Sequence, residues 1–208
     1  MQGVLKTASL YFYYGAMGSA KTAQAIITAY NYEERGQTAV CMKPMKDSRT
    51  RNKLWSRLGI NRDALLLSND CDPKKIVVDI MTETKTRIDV VIVDEVQFLT
   101  PEQIWQLASI VDDLDIPVLC FGLRADAFCN LFPGSETLLA IADKIIEVKT
   151  MCHCGKKATI SARIHNGKIV REGEQVKIGS NKDYIALCRK CYMNDKLDKE
   201  DIHLEKTV

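Results

Sequence analysis

The chain has 208 residues, of which 46% are hydrophobic and 27% are charged, so its composition excludes a disordered or fibrous protein. A chain of this length forms one main domain with room for a small appended module. Its 29 basic and 27 acidic residues leave a formal net charge of +2, which is too balanced for an extended nucleic-acid-binding surface.

Short apolar segments rich in β-forming residues recur along the first 150 residues, and most are separated by enough chain for a helix. Strands are predicted at Leu10–Tyr14, Thr38–Met42, Val90–Val93, Val118–Phe121 and Ile145–Val148. Helices are predicted at Lys21–Glu34, Pro101–Asp112 and Ser135–Ala142, and within Arg51–Leu58 and Pro73–Thr84. Thr100 before Pro101 is a helix cap. The alternation predicts an α/β domain with a parallel sheet flanked by helices.

The composition changes after Lys149. Two pairs of cysteines there bracket a polar, alternating segment with turn signals at Asn166-Gly167 and Gly173. This pattern predicts a small β module. We therefore divide the chain into a main domain over residues 1–150, a module over residues 151–195, and a charged, flexible tail over residues 196–208.

The segment between the first strand and the first helix has the composition of a phosphate-binding loop. Its small residues would direct backbone N–H groups at phosphate oxygens, and the helix N-terminus would add partial positive charge. The lysine would reach the β- and γ-phosphates and the threonine would bind Mg²⁺. A helix-capping turn is the alternative interpretation. The loop consists of Gly15, Ala16, Met17, Gly18, Ser19, Ala20, Lys21 and Thr22, and Ala20 replaces the second glycine of G-x-x-x-x-G-K-[ST].

A second pattern supports the phosphate loop. The apolar strand Val90–Val93 is followed by Asp94 and Glu95, as in strands that present an aspartate to Mg²⁺ beside such a loop. Because side chains alternate along a strand, one acid can bind the metal while the other faces an acceptor. Glu95 is therefore the candidate general base; two solvated acids at a strand end are the alternative.

Four of the eight cysteines are predicted to bind zinc. Cys188 and Cys191 have the two-residue spacing of a tetrahedral thiolate site, and Cys152 and Cys154 form a tighter pair. Four protein ligands leave no open position, so the zinc would be structural. No segment has the roughly 20 apolar residues that cross a bilayer, so we expect a cytoplasmic protein, and in such a reducing compartment close cysteine pairs are typical of metal ligands.

An ordered set of motifs from Leu10 to Tyr192 resembles the thymidine kinases of the cytosolic, zinc-containing type. The family implies a P-loop sheet of RecA-like architecture, and a zinc-bound module whose lasso loop covers the nucleoside. The motifs are Gly15–Thr22, Asp94-Glu-Val-Gln-Phe98, Gly122-Leu-Arg-Ala-Asp126, Gly134–Asp143 and Gly179-Ser-Asn-Lys-Asp-Tyr184, the last ahead of Cys188.

The resemblance implies transfer of the γ-phosphoryl group of ATP to the 5′-hydroxyl of thymidine, with Glu95 accepting the hydroxyl proton. It further implies that Asp47 and Arg49 help to organise Mg²⁺ and phosphate, and that Gln97 lies near the nucleotide. The segment Ser56-Arg57-Leu-Gly59 matches a family element to which we assign no chemistry. The implied nucleoside pocket contains Met17, Phe98, Leu123, Phe132, Ile178, Gly179 and Tyr184.

Two other functions stay open at this point. Ala20, together with Ala127 at a position where the family usually has an aromatic residue, also fits a nucleotide-binding regulator or a catalytically weak paralogue. A DNA-handling ATPase would share the sheet, but the chain has no basic stripe with interleaved aromatic residues. The resemblance implies a homotetramer with ATP, Mg²⁺ and structural zinc as cofactors, thymidine as substrate and no nucleic-acid partner.

Overall fold

The computed structural model describes residues 8–47, 52–175 and 183–198. Numbered in chain order, the strands are β1 (Leu10–Tyr14), β2 (Ala39–Pro44), β3 (Lys53–Trp55), β4 (Asn61–Asp63), β5 (Leu65–Leu67), β6 (Val90–Val93), β7 (Val118–Gly122), β8 (Lys144–Glu147), β9 (Thr150–Met151), β10 (Lys157–Ala158), β11 (Ile160–His165), β12 (Lys168–Ile169) and β13 (Tyr184–Leu187). The helices are α1 (Lys21–Glu33), α2 (Pro73–Thr84), α3 (Pro101–Leu114), α4 (Pro133–Ile141) and α5 (Arg189–Met193).

A six-stranded sheet in the order β5-β2-β6-β7-β1-β8 forms the centre of the main domain. All its neighbouring strands are parallel. Strands β6 and β7 lie in the middle, and every one of their residues is buried, as expected for apolar strands covered on both faces. The predicted parallel α/β domain is therefore confirmed.

The helices cover the two faces of the sheet unequally. Buried residues of α2, α3 and α4 share one apolar cluster with alternate residues of the strands, whereas α1 and β3 pack with the remaining alternate residues on the other face. The predicted cap is confirmed, because Thr100 and Gln103 form a reciprocal capping box at the start of α3. No helix among the described residues is both long and apolar enough to cross a membrane.

The helix predicted within Arg51–Leu58 is wrong over the described part of that segment. Residues 53–63 instead form an antiparallel hairpin in which β3 pairs with β4. Leu54 is buried between the exposed Lys53 and Trp55, and this alternation suits a strand rather than a helix. The short edge strand β5 was also not predicted.

The cysteine module contains two small antiparallel sheets and the helix α5. Strands β9 and β10 form one, and β12, β11 and β13 form the other. Asn166 and Gly167 link β11 to β12 with φ values of 50° and 68°, which confirms the predicted two-residue turn. Of the predicted tail, residues 196–198 are described, and Leu197 packs against the module core.

Candidate functional site

A cavity of about 770 Å³ opens where β1, β2, β6 and β7 end. The segments that follow these four parallel strands contribute most of its wall, and the β3–β4 hairpin and the cysteine module complete it. Ligands of parallel α/β domains bind at this carboxyl edge of the sheet. The cavity is therefore the candidate functional site.

The loop after β1 folds tightly around its own lysine. The Lys21 ammonium donates to the carbonyl oxygens of Gly15 and Ala16, each at 3.0 Å, and to the Ser19 hydroxyl at 3.2 Å. A Cβ on Gly15 would come within 2.3 Å of the Val148 carbonyl oxygen, so that position requires glycine. Gly15 and Ala16 lie buried behind the loop, whereas residues 17–22 line the cavity.

Ala20 has the left-handed backbone that the loop pattern assigns to glycine. Its φ and ψ are 61° and 26° at the N-cap of α1. An L-residue pays about 1 kcal/mol or more for this conformation. The methyl group lies at an exposed position. The substitution therefore costs backbone strain while the loop keeps the turn that glycine would make.

Asp94 is held directly beside the start of α1. The Thr22 hydroxyl donates to its carboxylate at 2.7 Å, and the residue is only 4% exposed. Burial, followed by the adjacent charge of Glu95, raises the pKa of Asp94 to about 7, although the Thr22 hydrogen bond opposes the shift. A buried acid paired with a hydroxyl at the end of a phosphate loop is suited to binding a divalent cation.

Glu95 is fixed in the cavity by an amide side chain. The Gln97 amide nitrogen donates to the Glu95 carboxylate at 2.6 Å, while the Gln97 amide oxygen accepts the Leu123 backbone N–H at 3.0 Å. Gln97 is 1% exposed, so it cannot move freely. Glu95 has a φ of 53°, an unfavourable backbone angle that is common where a functional side chain must be aimed.

A buried ion pair lies in the cavity wall at the end of β2. Lys43 and Asp47 approach to 2.7 Å and are 1% and 6% exposed. Lys43 also donates to the Lys53 carbonyl at 3.4 Å, which ties β2 to the hairpin. Asp47 lines the cavity, whereas Arg49, predicted to act with it, lies outside the described residues.

The other end of the cavity is apolar. Phe98 and Phe132 meet edge to face with ring centroids 5.8 Å apart. Ile178 and Gly179, predicted for the same pocket, lie outside the described residues. The predicted pocket residues that line the cavity are Met17, Phe98, Leu123, Phe132 and Tyr184.

Two polar contacts join the cysteine module to segments that line the cavity, and a third lies within the module beside the cavity. Ser161 accepts the Met17 backbone N–H at 2.9 Å, and the Tyr192 hydroxyl donates to the Ala127 carbonyl at 3.0 Å. Arg163, which is 6% exposed, donates to the Tyr184 hydroxyl at 3.1 Å. The module therefore contributes a wall of the site.

Cys152, Cys154, Cys188 and Cys191 offer sulfur atoms that all lie within 4.8 Å of one another. Tetrahedral zinc with bonds of about 2.3 Å separates its sulfur ligands by about 3.8 Å. The 3.7 Å between the sulfur atoms of Cys154 and Cys188 matches this separation. The Cys191 backbone N–H donates to the Cys188 sulfur at 3.4 Å, which favours the thiolate. The donor set thus fits a four-thiolate zinc site.

A family model described as "Thymidine kinase" matches residues 8–192. The chain belongs to the thymidine kinase family. It is 48% identical to the thymidine kinase of Idiomarina loihiensis over 88% of this chain and 95% of that one. It is 44% identical to the Legionella pneumophila thymidine kinase over 92% of each chain. It is also 44% identical to the Streptococcus pyogenes thymidine kinase, over 91% of this chain and 100% of that one. Membership confirms the resemblance seen in the sequence and places the chain among the kinases, a class of transferases.

In this thymidine kinase family member, several cavity residues were not predicted from the sequence. Lys43 received no role, and Ser161 carries no local signal, because its contact with Met17 spans 144 residues. The hairpin residues 53–58 were predicted as a helix, so their position beside the phosphate loop was missed. Only long-range packing brings these groups to the site.

Proposed function

We propose that this kinase transfers the γ-phosphoryl group of ATP to the 5′-hydroxyl of thymidine, forming dTMP. One observation carries the proposal: Lys21, Thr22, Asp94 and Glu95 all line one cavity whose other end is apolar. One end of the cavity has phosphate-binding and acidic groups, and the other end is an apolar pocket large enough for a base. This arrangement suits a reaction between a triphosphate and a nucleoside.

The phosphate loop binds the donor. Backbone N–H groups between Gly18 and Thr22, which line the cavity, surround the phosphates at the N-terminus of α1, and Lys21 exchanges its loop carbonyl partners for β- and γ-phosphate oxygens. Thr22 and Asp94, already 2.7 Å apart, hold Mg²⁺, with Asp47 and Arg49 organising the metal and phosphates. Mg²⁺ held by these residues would neutralise charge on the phosphates.

Glu95 acts as the general base. The 5′-oxygen of thymidine forms a bond to the γ-phosphorus while the bond from that phosphorus to the β–γ bridging oxygen breaks, which releases ADP. The hydroxyl proton passes to the Glu95 carboxylate. Gln97 keeps one oxygen of this carboxylate fixed through its hydrogen bond at 2.6 Å, so the base is oriented before the substrate binds.

The apolar end binds the thymine base. Met17 and Leu123 contact the 5-methyl group, and Phe98 and Phe132 enclose the ring. Tyr184, with Ile178 and Gly179 before it in the sequence, belongs to the lasso that covers the nucleoside. The Arg163 contact to the Tyr184 hydroxyl supports an ordered position for the C-terminal end of this lasso.

Zinc bound by Cys152, Cys154, Cys188 and Cys191 stabilises the module and takes no part in the transfer. Four thiolates fill a tetrahedral shell, so no position is left for substrate or water. We further propose the division into residues 1–150, 151–195 and 196–208. The family relationship supports a cytoplasmic homotetramer.

The test is a turnover assay of the purified, zinc-loaded protein with ATP, Mg²⁺ and a panel of nucleosides, with products identified by mass spectrometry. We expect dTMP from thymidine and much lower rates with deoxycytidine, deoxyadenosine and deoxyguanosine. A regulator would bind ATP or thymidine without forming dTMP. ATP hydrolysis stimulated by single-stranded DNA would instead favour a DNA-handling ATPase. Either result would refute the proposal.

A further inference from the structure

The turn between β3 and β4 places an arginine over the phosphate loop. The turn consists of Ser56, Arg57, Leu58 and Gly59, the element to which the sequence assigned no chemistry. A Cβ built on Gly18 would lie 3.3 Å from a terminal nitrogen of the Arg57 guanidinium. Arg57 also lines the cavity together with Lys21 and Glu95. The guanidinium is therefore close to any group that the loop binds.

No residue in the described part of the chain pairs with the charge of Arg57. Arg57 is exposed, and it makes no hydrogen bond, ion pair or aromatic ring contact with the residues that the structure describes. Other cations near the site differ in this respect. Lys43 is paired with Asp47, and Lys46 lies 5.7 Å from the centre of the Phe98 ring. Arg57 can thus bind an anionic ligand without breaking an internal bond.

The turn that carries Arg57 is internally ordered. The Ser56 N–H donates to the Ile60 carbonyl and the Gly59 N–H donates to the Ser56 carbonyl, each at 3.0 Å. The Leu58 N–H donates to the Ser56 hydroxyl at 3.3 Å, and Gly59 has a φ of 84°, which suits glycine. The backbone of the turn is therefore held in one conformation.

The hairpin is also anchored to the helix that begins at the phosphate loop. Leu54 is 1% exposed and packs in the same apolar cluster as Ala25 and Ala29 of α1. Arg62 of β4 donates through both terminal nitrogens to the carboxylate of Glu33 near the end of α1. These two anchors hold the hairpin that carries Arg57 against α1, the helix that begins at Lys21.

We propose that Arg57 binds the phosphates of the donor nucleotide from the hairpin side, as a second cationic contact in addition to Lys21. A planar guanidinium offers paired N–H donors that match phosphate oxygens, and it stays charged at every accessible pH. This inference rests on the proposed use of ATP as donor. It adds a binding residue outside the phosphate loop and the Asp94-Glu95 pair.

The test compares three variants of the full-length, zinc-loaded protein. Arg57→Gln removes the charge, and Arg57→Lys keeps the charge but removes the paired N–H donors of the guanidinium. Arg35→Gln removes an exposed arginine that does not line the cavity. The measurements are kcat and KM for ATP and for thymidine, together with the Kd of the β,γ-imido analogue of ATP by calorimetry. Melting temperatures identify any variant that does not fold.

Loss of a charged hydrogen-bonding group from a bound phosphate is expected to lower affinity by about 10- to 100-fold. Arg57→Gln should therefore lower kcat/KM for ATP and the affinity for the analogue by that factor. Arg57→Lys should lose less, and the KM for thymidine should stay within about twofold. Arg35→Gln should match the wild type.

The inference would be overturned if kcat/KM for ATP and the affinity for the analogue in Arg57→Gln stayed within about twofold of the wild type. It would also be overturned if Arg35→Gln lost as much, or if only the KM for thymidine changed. If Arg57→Gln does not fold, Arg57→Lys replaces it in the test. The inference then requires that Arg57→Lys lower kcat/KM for ATP and the affinity for the analogue by at least about threefold. A wild-type protein that forms no dTMP but binds the analogue would refute the proposed function alone. The analogue affinities would then still test Arg57.

Discussion

The sheet domain and the cysteine module bury apolar side chains on different scales. The two faces of the sheet contribute one cluster of 18 buried residues and another of ten. The module core has eight buried residues, and three of these are cysteines. A core that small rarely supports independent folding without a disulfide or a metal. The sheet domain is thus stabilised by its own packing, whereas we expect the module to depend on zinc at its four cysteines.

This difference divides the candidate site into two halves. The phosphate loop, Asp94 and Glu95 are carried by the large core. The proposed nucleoside end is also lined by Ser161 and Tyr184, which belong to the module. Zinc is therefore expected to control the use of thymidine far more than the binding of ATP.

Removing a zinc ligand should have the largest effect and tests this division directly. In Cys188→Ser, the module loses a ligand that closes its metal site, so we expect kcat/KM for thymidine to fall at least about 100-fold. The affinity for an ATP analogue should change by less than about threefold, because the sheet domain stays folded. Steady-state kinetics, calorimetry and zinc content measure these effects.

Cys71→Ser is the matched control, since Cys71 is a half-buried thiol of the sheet domain outside the cluster. It should behave as the wild type. Wild-type thymidine kinetics in a sample shown by elemental analysis to be free of zinc would disprove the division.

Asp94→Asn should stabilise the metal-free protein at the expense of activity. Burial raises the pKa of Asp94 to about 7 from its ordinary value of 3.8, so the folded state holds this proton more tightly than the unfolded state. The carboxyl group therefore favours folding at low pH, and this contribution is lost as pH rises from about 4 to about 7. At pH 8 the variant should be more stable by a few kcal/mol, with little difference near pH 4.

Denaturant unfolding at several pH values without Mg²⁺ or nucleotide measures this effect. Asp112→Asn, an exposed acid on α3, should show no comparable gain. If Asp94→Asn and the wild type were equally stable at pH 8, the ionised Asp94 carboxylate would not destabilise the folded protein, which would contradict this prediction.

Arg163→Gln should weaken thymidine binding alone. Arg163 donates to the Tyr184 hydroxyl at 3.1 Å and to the Glu174 carbonyl at 2.9 Å, so it joins two segments that flank residues 176–182. We expect the KM for thymidine to rise about tenfold while the KM for ATP and kcat stay within about threefold. Arg171→Gln removes an arginine that pairs with Asp195, and it should change thymidine KM by less than twofold. Equal effects of the two substitutions would contradict a specific role for Arg163.

Ala20→Gly should have the smallest effect, confined to the sheet domain. Glycine removes the strain at a φ of 61°, so we expect about 1 kcal/mol of added stability and a Tm rise of about 2–4 °C. Activity should stay within about threefold of the wild type. Lys85 at the end of α2 also has a left-handed backbone and lies away from the site. Lys85→Gly therefore measures how much stability the removal of this backbone strain adds elsewhere in the protein. A lower Tm for Ala20→Gly would show that the loop needs the methyl group.

The sequence predicted the elements that have a strong local pattern. The apolar runs of β1 and β6 were predicted with the bounds observed, and the Thr100 cap marked the start of α3. The hairpin at residues 53–63 was missed although Leu54 alternates with exposed neighbours and Gly59 marks a turn. Three-residue strands such as β3 and β5 leave too short a pattern to separate from a helix or loop.

The site was predictable where its residues lie in contiguous motifs. The loop that ends at Thr22 and the acids after β6 were both visible in the sequence, and the structure brings them within hydrogen-bonding distance. The link from Gln97 to Leu123 and the position of Arg57 over Gly18 were not visible. Each depends on packing between segments that are distant in the chain, for which the sequence carries no periodic signal.

In the proposed mechanism, Glu95 removes the proton of the thymidine 5′-hydroxyl in the cavity it shares with the phosphate loop. Rapid-quench measurement of a single turnover in Glu95→Gln, with ATP, Mg²⁺ and thymidine prebound, tests it most directly. General base catalysis typically contributes about 10²- to 10⁴-fold, so we predict a rate reduced by that factor with ligand affinities within about threefold of the wild type. A single-turnover rate within tenfold of the wild type would show that Glu95 is not the general base.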